Sequence, residues 1–291
     1  MRRFNSEEMI RYWQTHVATR GKIDWDCDFE GLNNVCYPGA PLTFNQYHGR
    51  IQRKTYINLL NQLPIAGSEK TALDIGCGTG RWCRILNQNG YQTFGIDLQN
   101  ELIKLNSVRN PGINFLCSSL QNYDSLSKFD VISSVTVLQH NPFSEQLPII
   151  EKMRSLLKKG GYVIMLENTL DQDPHVFANS VHGWIDKFEE VGFICLKTQK
   201  YDFSYYCRAQ KLLIKCARIL IDKPQYRLDL TPEEMDHKNL LPTSYIWKTL
   251  NTAHSLITNL TFNIDSLLEG PLTGFGNVFS STHCGFLFQS I

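Results

Sequence analysis

The run LDIGCGTGRW at residues 73–82 leads an apolar strand into glycines at every second position and continues in helix-like fashion. Glycines between a strand and a helix let the backbone turn sharply and let a ligand approach where a Cβ would collide. A nucleotide-like ligand fits such a loop, but the dinucleotide fingerprint G-x-G-x-x-G needs a glycine where this chain has Arg81. Asp74, two positions before Gly76, would repel a pyrophosphate. The loop is therefore read as built for a ligand that carries positive charge.

Outward from this loop, from Thr71 to about Gly192, short apolar runs alternate with amphipathic segments, the pattern of strands and helices wound into a mostly parallel sheet. Strands are expected at 71–75, 91–98, 113–117, 129–135, 162–167 and 193–199, and helices at 81–88, 99–108, 145–159 and 182–191. Gly90, Pro111-Gly112, Gly160-Gly161 and Gly192 supply the breaks. Upstream, helices are expected at 6–19 and 44–63, joined by an irregular stretch. In that stretch Asp24, Asp26 and Asp28 match the first ligands of an EF-hand loop, but Phe29 and Val35 replace its glycine and its glutamate, so calcium is not expected. Downstream, Ala209, Leu212, Leu213, Cys216, Ile219 and Leu220 recur at helical spacing, as do Ile246, Trp247, Leu250, Ala253, Ile257 and Leu260.

The chain has 291 residues, enough for a full-sized core, and a net charge of +1 from 29 basic and 28 acidic side chains. That balance offers no basic field for non-specific phosphate binding, so nucleic acid is not the expected partner. Nine cysteines, an odd number, with Cys77, Cys83, Cys117 and Cys195 inside or beside predicted strands and helices, point to reduced thiols and a cytoplasmic setting. No C-x-x-C pair occurs, and no run approaches the length of a membrane span, so neither a zinc site nor a membrane segment is expected.

Asp74-x-Gly76-x-Gly78-x-Gly80 resembles motif I of the class I S-adenosylmethionine (SAM) methyltransferases, and the order of elements over residues 71–200 resembles that family's core. The resemblance implies a seven-stranded, doubly wound α/β sheet whose last strand is antiparallel; HCGFLFQS at 283–290 is the late segment that can serve. The expected organisation is an N-terminal helical cap at 1–70, a SAM-binding core at 71–200, a helical insertion or lid at 201–282 and the last core strand at 283–291. It implies methyl transfer to an oxygen or nitrogen of a small molecule; a peptide or protein substrate, or a non-catalytic SAM-binding protein, is the alternative.

The same resemblance distributes the site. Gly76, Cys77, Gly78 and Gly80 offer backbone to the methionine part of SAM, and Asp74 sits near its ammonium. Asp97 follows Gly76 by close to the ~20 residues at which an acid meets ribose hydroxyls, and a carboxylate accepts both bonds of a vicinal diol. Leu98 lies along the adenine. Where the family often has an acid after strand three, this chain has Cys117-Ser118-Ser119-Leu120, so Ser118, Ser119 and Leu120 are candidates for that contact. Asp130, at the far end of strand four, is structural.

Strand four ends near Ser134, and Leu138-Gln139-His140 resembles the L-x-H element that flanks the sulfonium in small-molecule methyltransferases. His140 is read either as a general base near neutral pH or as a residue that shapes the loop. Glu167, ending strand five and facing the crevice, and His175 are further catalytic candidates, with loop capping as the other reading. In the N-terminal segment, Tyr47 or Arg50 would meet the cofactor carboxylate, with a solvated helix face as the alternative for Arg50.

Overall fold

The computed structural model describes residues 3–19, 29–36, 42–64, 69–125, 127–170, 175–201 and 282–291. The two helical repeats read in 201–282, the acidic run at 24–28 and the loop at 171–174 lie outside the described residues. By compactness the chain divides into two units. The first holds Met1–Val17, Lys54–Lys200 and His283–Ile291; the second holds Ala18–Arg53 and Tyr201–Thr282.

Helix α1 (Ser6–Thr19), which belongs to the first unit as far as Val17, precedes the sheet in sequence. Strand β1 (Thr71–Ile75) leads through the glycine loop into α4 (Arg81–Gln88), followed by β2 (Gln92–Asp97), α5 (Asn100–Arg109) and β3 (Asn114–Cys117). Next come β4 (Phe129–Val135), a 3-10 turn (Leu138–His140), α6 (Phe143–Leu156) and β5 (Leu157–Asn168), then α7 (Val181–Glu190), β6 (Phe193–Tyr201) and β7 (His283–Ser290). Among the described residues two helices precede β1 besides α1: the short α2 (Leu32–Val35), in the second unit, and α3 (Leu42–Leu60), whose last residues, from Lys54 on, join the first unit. In the second unit Asn45, Tyr47, His48 and Gln52 of α3 are buried, and Arg53 pairs with Glu30 at 3.5 Å.

The sheet has seven strands in the order β3-β2-β1-β4-β5-β7-β6. Strands β1 to β5 pair in parallel, and β7 pairs antiparallel with β5 from Tyr162↔Gln289 to Asn168↔His283. The order reverses between β1 and β4, which makes the carboxyl ends of those strands the place where an open α/β sheet binds ligands. On one face Leu73, Ile132, Val163 and Met165 join Ile149, Ile150 and Met153 of α6, Trp184 and Phe188 of α7, and Phe286 and Phe288 of β7 in one core. The other face takes α4 and α5, with Cys77, Cys83, Ile103 and Ile113 clustered there. Far from the carboxyl ends, burial alone would raise Asp130, but Lys158, the Thr71 N–H and Lys70 hold it down at about 2, so it ties three segments of the sheet's base.

One boundary differs from the sequence reading. The helix expected to run to residue 159 stops at Leu156, and β5 begins at Leu157, which pairs with Phe129 before the register shifts to Val131↔Tyr162. Leu156 and Leu157 continue a helical apolar pattern, but Gly160 takes φ +76° and Gly161 lies so close to Asp130 that a Cβ would meet its carbonyl oxygen at 3.1 Å. The two glycines thus belong to a bulged strand start rather than to a loop.

Gly95 of β2 shows how closely α4 sits. A Cβ there would fall 2.8 Å from Cys83 Sγ and 2.9 Å from the Phe115 ring. Gly95→Ala is expected to cost about 2 kcal/mol through this overpacking, read as a fall of about 5 °C in Tm by thermal unfolding. An unchanged Tm would mean that α4 is free to shift.

Candidate active site

All three glycines of the loop after β1 take left-handed φ: Gly76 +64°, Gly78 +50° and Gly80 +71°. A Cβ on Gly76 would lie 2.5 Å from Val137 Cγ2, so this loop and the one after β4 touch across the switch point. The loop is held from several sides. Cys77 N–H donates to the Ile96 carbonyl at 2.9 Å and Gly80 N–H to that of Cys77 at 2.8 Å. Asn106 Nδ2 donates to the Gly78 carbonyl at 2.7 Å, and Arg84 Nη1 to that of Thr79 at 2.9 Å. The Cys77 side chain turns into the cluster under α4 and α5, where burial pushes its thiol up to about 11, so only its backbone is available to a ligand.

Asp97 ends β2 directly beside this loop. Its Oδ2 accepts the Gly78 N–H at 2.8 Å and its Oδ1 the Gln99 N–H at 2.8 Å, which joins the loop to the start of α5. Burial raises its pKa, and those backbone donors work against the rise. Each carboxylate oxygen keeps a further lone pair. Asp74 is fully buried; Oδ2 accepts from the Cys83 thiol at 3.3 Å, and Oδ1 has no hydrogen-bond partner among the described residues. Burial pushes Asp74 up to about 7, with Ser133 and Cys83 acting against it.

At the end of β3, Ser118 N–H donates to the Asp97 carbonyl at 3.0 Å and its hydroxyl to the Ser119 carbonyl at 2.8 Å, while Ser119 Oγ accepts the Asn122 N–H. Leu98 is half-buried. Leu120, expected beside the cofactor, instead lies in the apolar core with Phe129 and Ile132, because the turn at 118–122 swings it under the sheet.

The loop after β4 is built around Glu167. Thr136 adopts φ +56°, unusual for a β-branched residue, and the N–H groups of Val137, Leu138 and Gln139 then all point at the Glu167 carboxylate, at 2.9, 2.9 and 3.2 Å. Glu167 was expected to face the crevice; it is fully buried, because three consecutive N–H groups of the 3-10 turn need an acceptor. Burial pushes it up to about 8 against those three donors. Ser134 is buried too, and its hydroxyl has no partner among the described residues.

His140 Nδ1 lies 3.0 Å from the His175 carbonyl, which can only accept, so the proton sits on Nδ1; Nε2 then accepts from Gln139 Nε2 at 3.2 Å. Burial, and then the neighbouring His175, lower His140 to about 3. The two histidine rings lie parallel with centroids 5.4 Å apart. Helix α1 brings Trp13 edge-on to His140 at 4.7 Å and Tyr12 to His175 at 5.7 Å, while Arg3 lies over the Phe143 and Phe177 rings and Ser6 bonds Glu145. Gln146 ties the wall together, donating to the Phe177 and Asn141 carbonyls and accepting from Asn179. Of the remaining candidates, Tyr47 is buried and Arg50 exposed, both on α3 in the second unit.

Sequence reasoning missed Tyr12, Trp13, Asn106 and Gln146. For Asn106 and Gln146 a signal existed, a polar residue on the buried side of an amphipathic helix; for the α1 aromatics there was none.

These shifts carry a pH dependence. Folded Asp74 and Glu167 keep protons that the unfolded chain releases near their ordinary 3.8 and 4.5, so their stabilisation is full below those values and lost as pH rises to about 7 and about 8. Neutral His140 acts oppositely, costing stability as pH falls from 6.5 to about 3. Two carboxyls outweigh one histidine, so the ligand-free protein is expected to melt at higher temperature near about pH 5 than near about pH 8, and a Tm rising over that range would overturn the assignment.

Residues 47–211, more than half of the chain, match a family described as a methyltransferase domain. The ubiquinone biosynthesis O-methyltransferase of Xanthomonas campestris pv. campestris (strain B100) is 32% identical over 117 residues, 38% of this chain and 47% of that protein. The chain thus spans about half the length of the curated relatives it matches. Among solved structures, magnesium protoporphyrin IX methyltransferase (ChlM) from Synechocystis PCC 6803 with bound SAM superposes with a TM-score of 0.51 at 16% identity, covering 71% of this chain and 95% of that one. The [4+2]-cyclase SpnF does so with 0.52 at 14%, covering 81% and 80%. At these identities the structural likeness speaks for the fold alone. Through the match over residues 47–211, the chain belongs to the methyltransferase-domain family.

Proposed function

We propose that this protein is an enzyme that transfers a methyl group from SAM to an oxygen or nitrogen of a small molecule. The observation that carries this reading is the cradle at the switch point: three left-handed glycines tied by the Gly78 N–H to Asp97, with the buried Asp74 at the end of β1. That set fits SAM. Asp97 has lone pairs left for the ribose diol, Asp74 offers a carboxylate oxygen toward the ammonium, and Gly76 to Gly80 leave room for close approach. When bound, SAM supplies a methyl already activated on a sulfonium.

The chain's own task is then to place the nucleophile and exclude water. The wall of His140, His175, Trp13 and Tyr12 supports a planar or aromatic acceptor, and the O-methyltransferase relatives support oxygen as its nucleophile. We read His140 as part of that wall, since both ring nitrogens are already engaged. The near-zero net charge supports a small molecule over nucleic acid, and no described helix is long and apolar enough to cross a membrane. A cytoplasmic setting and the division into cap (1–70), core (71–200), insertion (201–282) and last strand (283–291) belong to this same reading.

A non-catalytic SAM-binding role is the second reading, favoured by one observation: both ring nitrogens of His140 are engaged and Glu167 is fully buried under three N–H groups, so neither is placed to take a proton from a substrate. Incubation with methyl-labelled SAM and metabolite extracts separates the two. Label transferred with release of S-adenosylhomocysteine (SAH) supports the enzyme; SAH binding by calorimetry with no transfer in any extract supports the second reading; no binding of SAM or SAH overturns both.

A further inference from the structure

Beneath the glycine loop, on the α4 face of the sheet, lies a buried polar group of which the proposed function uses only Asp74. Ser133 of β4 is the cross-strand partner of Asp74, so the two side chains stand next to each other on one face. Tyr56, near the end of α3, stacks on Trp82 with ring centroids 4.6 Å apart and planes at 29°. Trp82 immediately precedes Cys83, the thiol that donates to Asp74. Asp74, Ser133, Tyr56 and Cys83 are all fully buried. Tyr56 OH, Ser133 Oγ and Asp74 Oδ1 meet no partner in full hydrogen-bond geometry among the described residues, yet Ser133 lies close enough to both Tyr56 and Asp74 to work against the rise of their pKa values.

Polar atoms buried together are costly unless they bond one another, and native interiors satisfy such groups. Here the inventory closes by itself. An ionised carboxylate only accepts, and each hydroxyl has one proton on a freely rotating bond. Ser133 must then give its proton to Asp74, which leaves its lone pairs to receive the Tyr56 proton. We infer that Tyr56 is a positioning residue of the cofactor site: its hydroxyl donates to Ser133, Ser133 donates to Asp74, and the chain holds the carboxylate in one orientation at the end of β1. This rests on the SAM reading proposed above for what Asp74 meets.

The arrangement has a direction set by charge. With Asp74 ionised the chain runs from Tyr56 toward the carboxylate; with Asp74 protonated it can run the other way. Tyr56 lies in the field of Asp74, which raises the phenol further beyond what burial does. The other titratable groups that face Asp74 are Cys83 from α4, Cys77 from the loop and Asp97 from β2, all of them acids, so no described cation among them competes with the hydroxyl chain for the carboxylate. Because α3 precedes the α/β core, its packing thereby bears on whether the core's first strand presents a charged acid.

Two readouts test this. In the ligand-free protein with isotope-labelled aspartate carboxyls, the NMR titration midpoint of Asp74 is expected to rise by roughly half a unit to one unit in Tyr56→Phe, which keeps the ring on Trp82, and likewise in Ser133→Ala, while Ser133→Thr restores the parent midpoint. With SAH as the probe, calorimetry at about pH 7 should show roughly three- to tenfold weaker binding by Tyr56→Phe, recovered at about pH 9 as the carboxyl ionises. A merely structural tyrosine would lower stability without moving either pH midpoint. If Tyr56→Phe does not fold, Ser133→Ala against Ser133→Thr decides alone. Unmoved Asp74 midpoints in the folded variants overturn the inference. A parent protein that binds no SAH overturns the function proposed above, and the Asp74 titration still judges Tyr56.

Discussion

Asp97→Ala is expected to weaken SAH binding by about a hundredfold or more, the loss of two charge-assisted hydrogen bonds at about 1.5–3 kcal/mol each. Two losses coincide. The ribose loses its acceptor, and the glycine loop loses the anchor that holds the Gly78 N–H at 2.8 Å and joins it to Gln99 at the start of α5. Asn106→Ala separates them. It removes the bond to the Gly78 carbonyl and so loosens the same loop without touching a ribose contact. It should cost roughly tenfold, the worth of one such hydrogen bond. Calorimetry with SAH measures both. If Asp97→Ala binds as tightly as the parent, the ribose assignment is wrong; if the two variants lose equally, Asp97 acts only through the loop.

Glu167→Ala should be the most damaging change to stability among the site residues. It leaves the N–H groups of Val137, Leu138 and Gln139 buried without their acceptor, at about 1–3 kcal/mol each, so a total near 4 kcal/mol and a fall of about 10 °C in Tm are expected. Glu167→Gln keeps the volume but turns an amide N–H₂ toward donors, and should fall about halfway between. Amide hydrogen exchange at Val137, Leu138 and Gln139 should quicken in both variants. With that clamp gone, Thr136 keeps only its N–H on the Leu166 carbonyl and its hydroxyl on that of Val135, so its left-handed φ and the wall at His140 are expected to relax. The methyl transfer proposed above should therefore drop even at temperatures where the variants stay folded. Unaltered exchange at those amides would show that the turn is held by something else.

What was legible in the sequence followed from punctuation and period. Thr71–Ile75, Arg81–Gln88 and Phe129–Val135 were readable to the residue because glycines and charge changes bound strong apolar runs. His283–Ser290 was assigned through the family pattern, and its antiparallel pairing with β5 follows that pattern. The end of α6 was not readable, since Leu156 and Leu157 suit a helix and a strand equally. Alternation along β5 could say on which face Glu167 stands, but not that a loop some thirty residues earlier sends three N–H groups to it. Leu120 followed a family position while its own apolarity drew it into the core. Tyr56 falls within the helix expected at 44–63, with nothing in its spacing to single it out; only the fold sets it on Trp82, beside Asp74's neighbours.

The place of β7 between β5 and β6 has a consequence for the order of events during synthesis. β5 is complete at Asn168, but its partner on that edge, His283 onward, is translated more than a hundred residues later. Until then the nascent sheet carries a slot one strand wide, flanked by β5 with an unpaired row of backbone donors and acceptors. Such an edge is a template for strands of other chains. Closing so long a loop is entropically slow, so the nascent protein must wait in that state or be shielded in it.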